Sequence, residues 1–314
     1  MDSSERGGPV EAVALETRHL RKEYGSKVAV KDLSLQVLRG EVFGFLGPNG
    51  AGKTTAVKML MGLVRPTSGS AALLGRPPAD LRAKERVGFL PELFRFHEWL
   101  TAEEFLEFHG QLYGMPAEKL RHRIPEVLEL VGLRQEGRNR LRTFSKGMQQ
   151  RIGIAQAILN YPDLVLLDEP TSALDPLGRR DVRDLIRYLK EQGCTVFLNS
   201  HLLSEVEMVC DRVAIIDHGT VLATGTLAEL LVEGVEVEAE ASGVPPDALA
   251  ELGKLGQDVE ALNGKITMRL SDRESVPEVA RILLAHGARL YSLSRKKGSL
   301  EELFVRVVEQ EEGR

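Results

Sequence analysis

The chain has 314 residues and 43% hydrophobic content, enough for a buried core in one large domain or two ordinary ones. Its net charge of −5 is uneven, because the part from Thr226 onward carries 11 Lys/Arg against 17 Asp/Glu; neither part has the basic balance of a nucleic-acid binder, and no nucleic acid is expected as a partner. Two cysteines, Cys194 and Cys210, are too few for a disulfide framework, no apolar run is long enough to span a bilayer, and the polar start MDSSERGGPVEA lacks the apolar stretch of a signal peptide.

The expectation is therefore a soluble chain in a reducing cytosol, with both cysteines buried in apolar patterns and any membrane role supplied by a partner. In chain order, residues 13–75 read as short strands with turns, closing on the apolar run EVFGFLG, and a helical pattern follows at 53–63. From about residue 93 to 160 the pattern is mostly helical, and Thr101 with Glu104 has capping-box spacing. PDLVLLDEP and CTVFLNS have the continuous apolar character of buried parallel strands. Between them Leu177, Val182, Leu185, Ile186 and Leu189 share one face of a helix that stops at Gly193. LLSEVEMVCDRV reads as another helix. Strands alternating with helices predict an α/β fold with a parallel sheet. A boundary is expected near Val232–Val235, after which alternating β and α segments predict a small α+β domain of ferredoxin-like type over 235–314.

EVFGFLGPNGAGKTT places Gly47, Gly52, Lys53 and Thr54 in the order of a phosphate-binding loop, after a strand and before a helix. Backbone N–H groups at a helix start can cradle a polyphosphate only if side chains stay clear. Gly47, Gly50 and Gly52 provide that clearance beside Pro48, Asn49 and Ala51. Lys53 supplies a positive charge for the β- and γ-phosphates, and the hydroxyl of Thr54, next to Thr55, can ligate Mg²⁺. The strand LVLLD delivers Asp168 and Glu169 at its end, where open α/β sheets bind ligands. Asp168 can hold Mg²⁺, and Glu169 can orient the attacking water. Alone, such a pair of acids reads first as helix caps; the phosphate loop upstream favours the chemical reading.

With FSKGMQQR at 144–151, these motifs resemble the nucleotide-binding subunit of ATP-binding-cassette transporters, over about residues 13–231. Of that family's Leu-Ser-Gly-Gly-Gln signature this chain keeps Ser145 and Gly147, while Lys146 and Met148 stand in place of the first Gly and the Gln. The resemblance implies a P-loop ATPase cassette with an antiparallel β subdomain and a helical subdomain at about 93–160. It implies ATP and Mg²⁺ as ligands, Lys53, Glu169, His201 and Glu92 as catalytic groups, and Thr54, Asp168 and Glu92 around the metal. Tyr24 matches the adenine-stacking aromatic, though a tyrosine at a strand end can also be core. Asp175, in SALD, matches the loop that crosses to a facing subunit, and His201 matches the switch histidine that contacts the γ-phosphate. Ser145 reads both as a helix cap and as a contact to a phosphate on the facing copy. Glu92 replaces the family's usual glutamine and adds a negative charge beside Asp168 and Glu169.

The resemblance further implies a head-to-tail dimer with a second copy, and a separate transmembrane permease that places the chain in the cytoplasm, peripheral on the inner face of the cell membrane. Glu92, the SKGM signature and the ending SLEELFVRVVEQ resemble an exporter-type branch carrying a small C-terminal domain. Phe94, Phe96 and Trp99 either pack the helical subdomain or rim a groove for a helix of the permease. The alternatives are an importer ATPase, a non-transport cassette of translation or DNA-repair type, another P-loop enzyme such as a kinase or GTPase, and a cassette kept only as a scaffold. The single cassette, the lack of a basic patch or Cys cluster, and the lack of an Asn-Lys-x-Asp motif weigh against the middle two.

Overall fold

The computed structural model describes residues 13–93, 95–231, 235–296 and 299–312. Phe94 and residues 232–234, where the sequence reading placed the domain boundary, lie outside them. The polypeptide divides into two compact units, of which the second is Leu227–Arg306.

In the first unit, β1 (Val13–Tyr24) and β2 (Lys27–Leu38) pair antiparallel around a tight turn, and β3 (Val42–Leu46) leads into α1 (Lys53–Leu60). β4 (Ser68–Leu73) pairs antiparallel with β1; α2 (Leu81–Lys84) and β5 (Val87–Leu90) follow. Three helices come next: α3 (Ala102–Leu112), α4 (Ala117–Leu130) and α5 (Lys146–Ile158). The chain then alternates through β6 (Leu164–Asp168), α6 (Pro176–Glu191), β7 (Thr195–Asn199), α7 (Leu203–Val209), β8 (Arg212–Asp217) and β9 (Thr220–Thr226).

One sheet holds all nine strands in the order β4-β1-β2-β9-β8-β3-β7-β6-β5. β3 runs parallel to β7 and β8, and β6 runs parallel to β5 and β7, so the half from β8 to β5 is parallel. Every residue of β3, β6 and β7 is buried, which is why each reads as an unbroken apolar run rather than an alternating one. Phe197 of β7 stacks on Phe43 at 6.0 Å and meets Phe45 at 5.2 Å, fixing the centre of this core. Cys194 and Cys210 are buried as expected, and burial pushes the Cys194 thiol up to about 12.

The helical layer begins with the predicted capping box: Glu104 N–H donates to Thr101 Oγ1 and Thr101 N–H to Glu104 Oε2. Arg123 of α4 is buried and donates to the carbonyls of Ile158, at 2.6 Å, and Leu159, at 3.1 Å, which close α5. Arg151 of α5 returns the contact, donating to Val131 O at 3.1 Å just past the end of α4. Each helix thus has its orphan C-terminal carbonyls met by a guanidinium from the other. In α6, Val182, Leu185, Ile186 and Leu189 are buried, but Leu177 is 71% exposed. Leu177 shares their helical period yet sits in the first turn.

The second unit opens with α8 (Leu227–Leu230) and continues β10 (Val235–Ser242), α9 (Pro246–Leu255), β11 (Gly256–Leu262), β12 (Lys265–Leu270), α10 (Val276–Ala285) and β13 (Arg289–Lys296); α11 (Leu300–Glu312) ends the chain's described part. Its four strands are all antiparallel, in the order β11-β12-β10-β13. That succession and order make the split β-α-β arrangement of ferredoxin-like folds. Leu252, Val279 and Leu283 of the helices pack against Val237, Ile266 and Met268 of the sheet.

Candidate nucleotide site

The loop between β3 and α1 enters the helix through Gly52, whose φ of +97° is left-handed and whose Cβ, if present, would stand 2.3 Å from Ala29 O. Only glycine fits there. No side chain caps α1, so the N–H groups of its first turn point outward without an internal acceptor. Lys53 opens the helix almost fully buried, its Nζ donating to Gly47 O at 2.7 Å and Pro48 O at 3.1 Å. Behind the loop, Ala51 O accepts from Gly219 N–H at 2.9 Å, on the β8–β9 turn, so this hairpin braces the loop.

A cleft of about 260 Å³ lies over the loop. Asn49, Gly50, Gly52, Lys53, Thr54, Thr55, Glu92 and Glu169 line it, together with Lys27, Ala29 and Asn199, which the sequence reading did not select. Glu92 and Glu169 follow the ends of the adjacent parallel strands β5 and β6.

Asp168, at the end of β6, is buried and accepts a short hydrogen bond from Asn199 Nδ2 on β7. Burial raises its pKa, the Asn199 bond opposes the rise, and the charge of Glu92 adds to it. Glu169 is 8% exposed with φ +54°, a sparsely populated conformation for a non-glycine residue that costs about 1–3 kcal/mol. Its Oε2 lies 2.7 Å from His201 Nδ1. Burial raises the Glu169 pKa, while His201 and Lys53 pull it down. Burial depresses the Lys53 pKa against the opposing pull of Glu169, Asp168 and Glu92. Three carboxylates thus face one lysine, an excess of negative charge that suits a cation.

The donors fit Mg²⁺ by their chemistry: a hydroxyl at Thr54 and carboxylates at Asp168 and Glu92 are hard oxygens. Asn199 Oδ1, buried and without a partner, is an acceptor that a metal-bound water can serve. Among the described residues no three acidic, His or Cys groups could hold a metal by themselves.

Nine site residues selected from the sequence do not line this cleft. Gly47, Pro48 and Ala51 belong to its loop, and Asp168 and His201 bond to the lining residues Asn199 and Glu169. Tyr24, Ser145, Gly147 and Asp175 are the others. Tyr24 is 49% exposed, with Lys22 Nζ 4.9 Å from its ring centre. Ser145 caps α5, accepting from Met148 N–H at 3.3 Å, and is exposed. Gly147 packs beside Leu174 and Ala173, and Asp175 caps α6 by accepting from Gly178 N–H at 2.8 Å. Two further groups touch Glu169 through its carbonyl: Gln150 Nε2 and Ser172 Oγ, each donating at 3.1 Å. The sequence marks Gln150 only as a polar residue after Met148. Its partner is visible only once α5 packs beside β6.

The family model described as ABC transporter matches residues 30–172. An uncharacterized ABC transporter ATP-binding protein of Synechocystis is 42% identical, covering 97% of this chain and 87% of its own. The Nod factor export ATP-binding protein I of a Rhizobium species is 34% identical over 95% of this chain and 98% of its own. Among solved structures, the dimeric post-hydrolysis state of an ATP-binding cassette bound to ADP and Pi superposes with a TM-score of 0.63 at 27% identity, covering 68% of this chain and 98% of its own. The chain belongs to the ATP-binding subunits of ABC transporters. It is a P-loop ATP hydrolase of a transport system. No described helix is long and apolar enough to cross a membrane.

Proposed function

We propose that the chain powers export through a separate transmembrane permease, as a head-to-tail dimer at the cytoplasmic face of the membrane. The observation that carries the reading is the pairing of Glu169 with His201 beside a phosphate loop whose lysine is buried among carboxylates. The export direction is supported by the name of the Rhizobium relative, and the dimer by the dimeric state of the solved cassette.

The N–H groups of Gly50 to Thr54 and Lys53 Nζ bind the β- and γ-phosphates. Thr54, Asp168 and Glu92 would hold Mg²⁺, which supplies charge neutralisation on the phosphate oxygens. Glu169 accepts a hydrogen bond from the attacking water, and His201 fixes the Glu169 carboxylate and donates toward the γ-phosphate. Water attacks the γ-phosphorus as its proton passes to Glu169, the bond to the β–γ bridging oxygen breaks, and ADP and phosphate leave as the proton is returned to solvent. Ser145, which is exposed, and Gly147, which is half-buried, do not line their own cleft. They meet the γ-phosphate held by the facing copy, with Asp175 at the interface and Tyr24 against adenine. Phosphate loss removes that bridge, and the closed dimer opens. Leu93 and Trp99, both largely exposed after Glu92, belong to the permease-facing surface; Phe96 instead packs on Phe105 at 5.7 Å.

Sedimentation of purified chain with ATP and Mg²⁺ tests the reading. Glu169→Gln is expected to sediment as an ATP-dependent dimer, and Ser145→Arg to remain monomeric. A Ser145→Arg chain that dimerises and hydrolyses like the unaltered one returns this residue to a helix cap.

A further inference from the structure

The peptide units of Glu169 are tied to three elements at once. Its N–H donates to Asn199 O at 2.8 Å, at the end of the strand that leads to His201. Its carbonyl accepts from Ser172 Oγ, in the loop before α6, and from Gln150 Nε2 on α5, both at 3.1 Å. A left-handed backbone at a glutamate persists only where its surroundings over-determine it, and these bonds do so. Gln150 stands five residues beyond Ser145, about 7.5 Å along the helix axis. One rigid helix therefore has its N-terminus at the surface and its second turn on the backbone of Glu169.

We propose that Gln150 is a positioning residue that couples the two ATP sites of the dimer. The inference rests on the head-to-tail reading, in which Ser145 and Gly147 serve the γ-phosphate of the facing copy while Glu169 serves the chain's own. Engagement of the facing phosphate restrains the start of α5, and the Gln150 amide, already bonded to the Glu169 carbonyl, passes that restraint to the carboxylate beside His201. Each site becomes competent when the other is filled. Ser172 adds a second tie from the loop against which Gly147 packs, through Leu174 and Ala173.

The test compares unaltered chain, Gln150→Met, which keeps length without a donor, and Gln150→Lys, which restores one. Three quantities are measured on the full-length protein: ATP-driven dimerisation in a Glu169→Gln background, the Hill coefficient of hydrolysis against ATP, and the melting temperature. The unaltered chain is expected to show a Hill coefficient approaching 2, the number of sites. Gln150→Met is expected to dimerise normally, with the coefficient falling to about 1 and kcat falling about tenfold, within the range of such couplings. Gln150→Lys is expected to recover both. A Gln150→Met chain that keeps the cooperativity of the unaltered chain overturns the proposal and leaves the dimer standing. Loss of dimerisation together with a lowered melting temperature also overturns it, reducing Gln150 to a packing role. If the unaltered chain neither dimerises with ATP nor shows cooperativity, the head-to-tail reading fails, and this inference with it.

Discussion

His201 Nδ1 lies 2.7 Å from Glu169 Oε2, joining two side chains that stand just past the ends of the adjacent parallel strands β6 and β7. The contact restrains the glutamate carboxylate beside the cleft over the phosphate loop. It also opposes the effect of burial, which on its own drives Glu169 toward its neutral form.

With Glu169 as the water-orienting base, Glu169→Gln lowers the hydrolysis rate about 10²- to 10⁴-fold while nucleotide affinity stays within about twofold. Phosphate release and titration with a fluorescent nucleotide measure the two separately. Equal losses in both would move Glu169 from chemistry to binding.

The acid limb of the rate profile follows from the raised pKa of Glu169. The base must be ionised, so activity falls as pH falls through a value above the ordinary glutamate range. His201→Ala removes the group that pulls this pKa down, and the limb moves to still higher pH. A pH–rate profile of kcat/KM for both proteins reads the shift, and a limb that moves down on losing His201 contradicts the assignment.

Gly219 has φ +71°, and a Cβ there would stand 2.4 Å from Val30 Cα while its N–H braces Ala51 O. Gly219→Ala is expected to cost about 1–3 kcal/mol of stability and to weaken nucleotide binding, although the residue lies outside the cleft. Thermal denaturation and nucleotide titration check the two effects together.

Arg123→Met leaves the carbonyls of Ile158 and Leu159 without their buried donor, for a loss of about 2–4 kcal/mol by urea unfolding. Trp99→Ala, at a 68% exposed position, is expected to change stability by less than about 0.5 kcal/mol and to weaken capture of the permease. Co-purification with the permease distinguishes this from a local packing defect.

The parallel strands were legible in the sequence because burial on both faces leaves runs such as VFGFL and LVLLD with no polar alternation. The phosphate loop was legible because its parts are contiguous. Asn199 and Gln150 escaped selection because their partners, Asp168 and Glu169, stand 31 and 19 residues away, and only packing brings them together. Gly219 escaped for the same reason, since its N–H meets a loop from the other end of the unit. Helical period placed Leu177 with its buried neighbours, but period says nothing of where along a helix packing begins. The succession of β and α segments in the second unit was legible as well, and its four-stranded order is that of the ferredoxin-like type it predicted.

The exchange of arginines between α4 and α5 makes these helices one stiff lever. Sliding either by a single residue, about 1.5 Å, would strip a guanidinium from carbonyls at both ends. Sliding one helix along the other therefore costs these bonds, whereas moving the two together does not. A displacement along one helix is thus carried to the other through the arginine bonds at both ends.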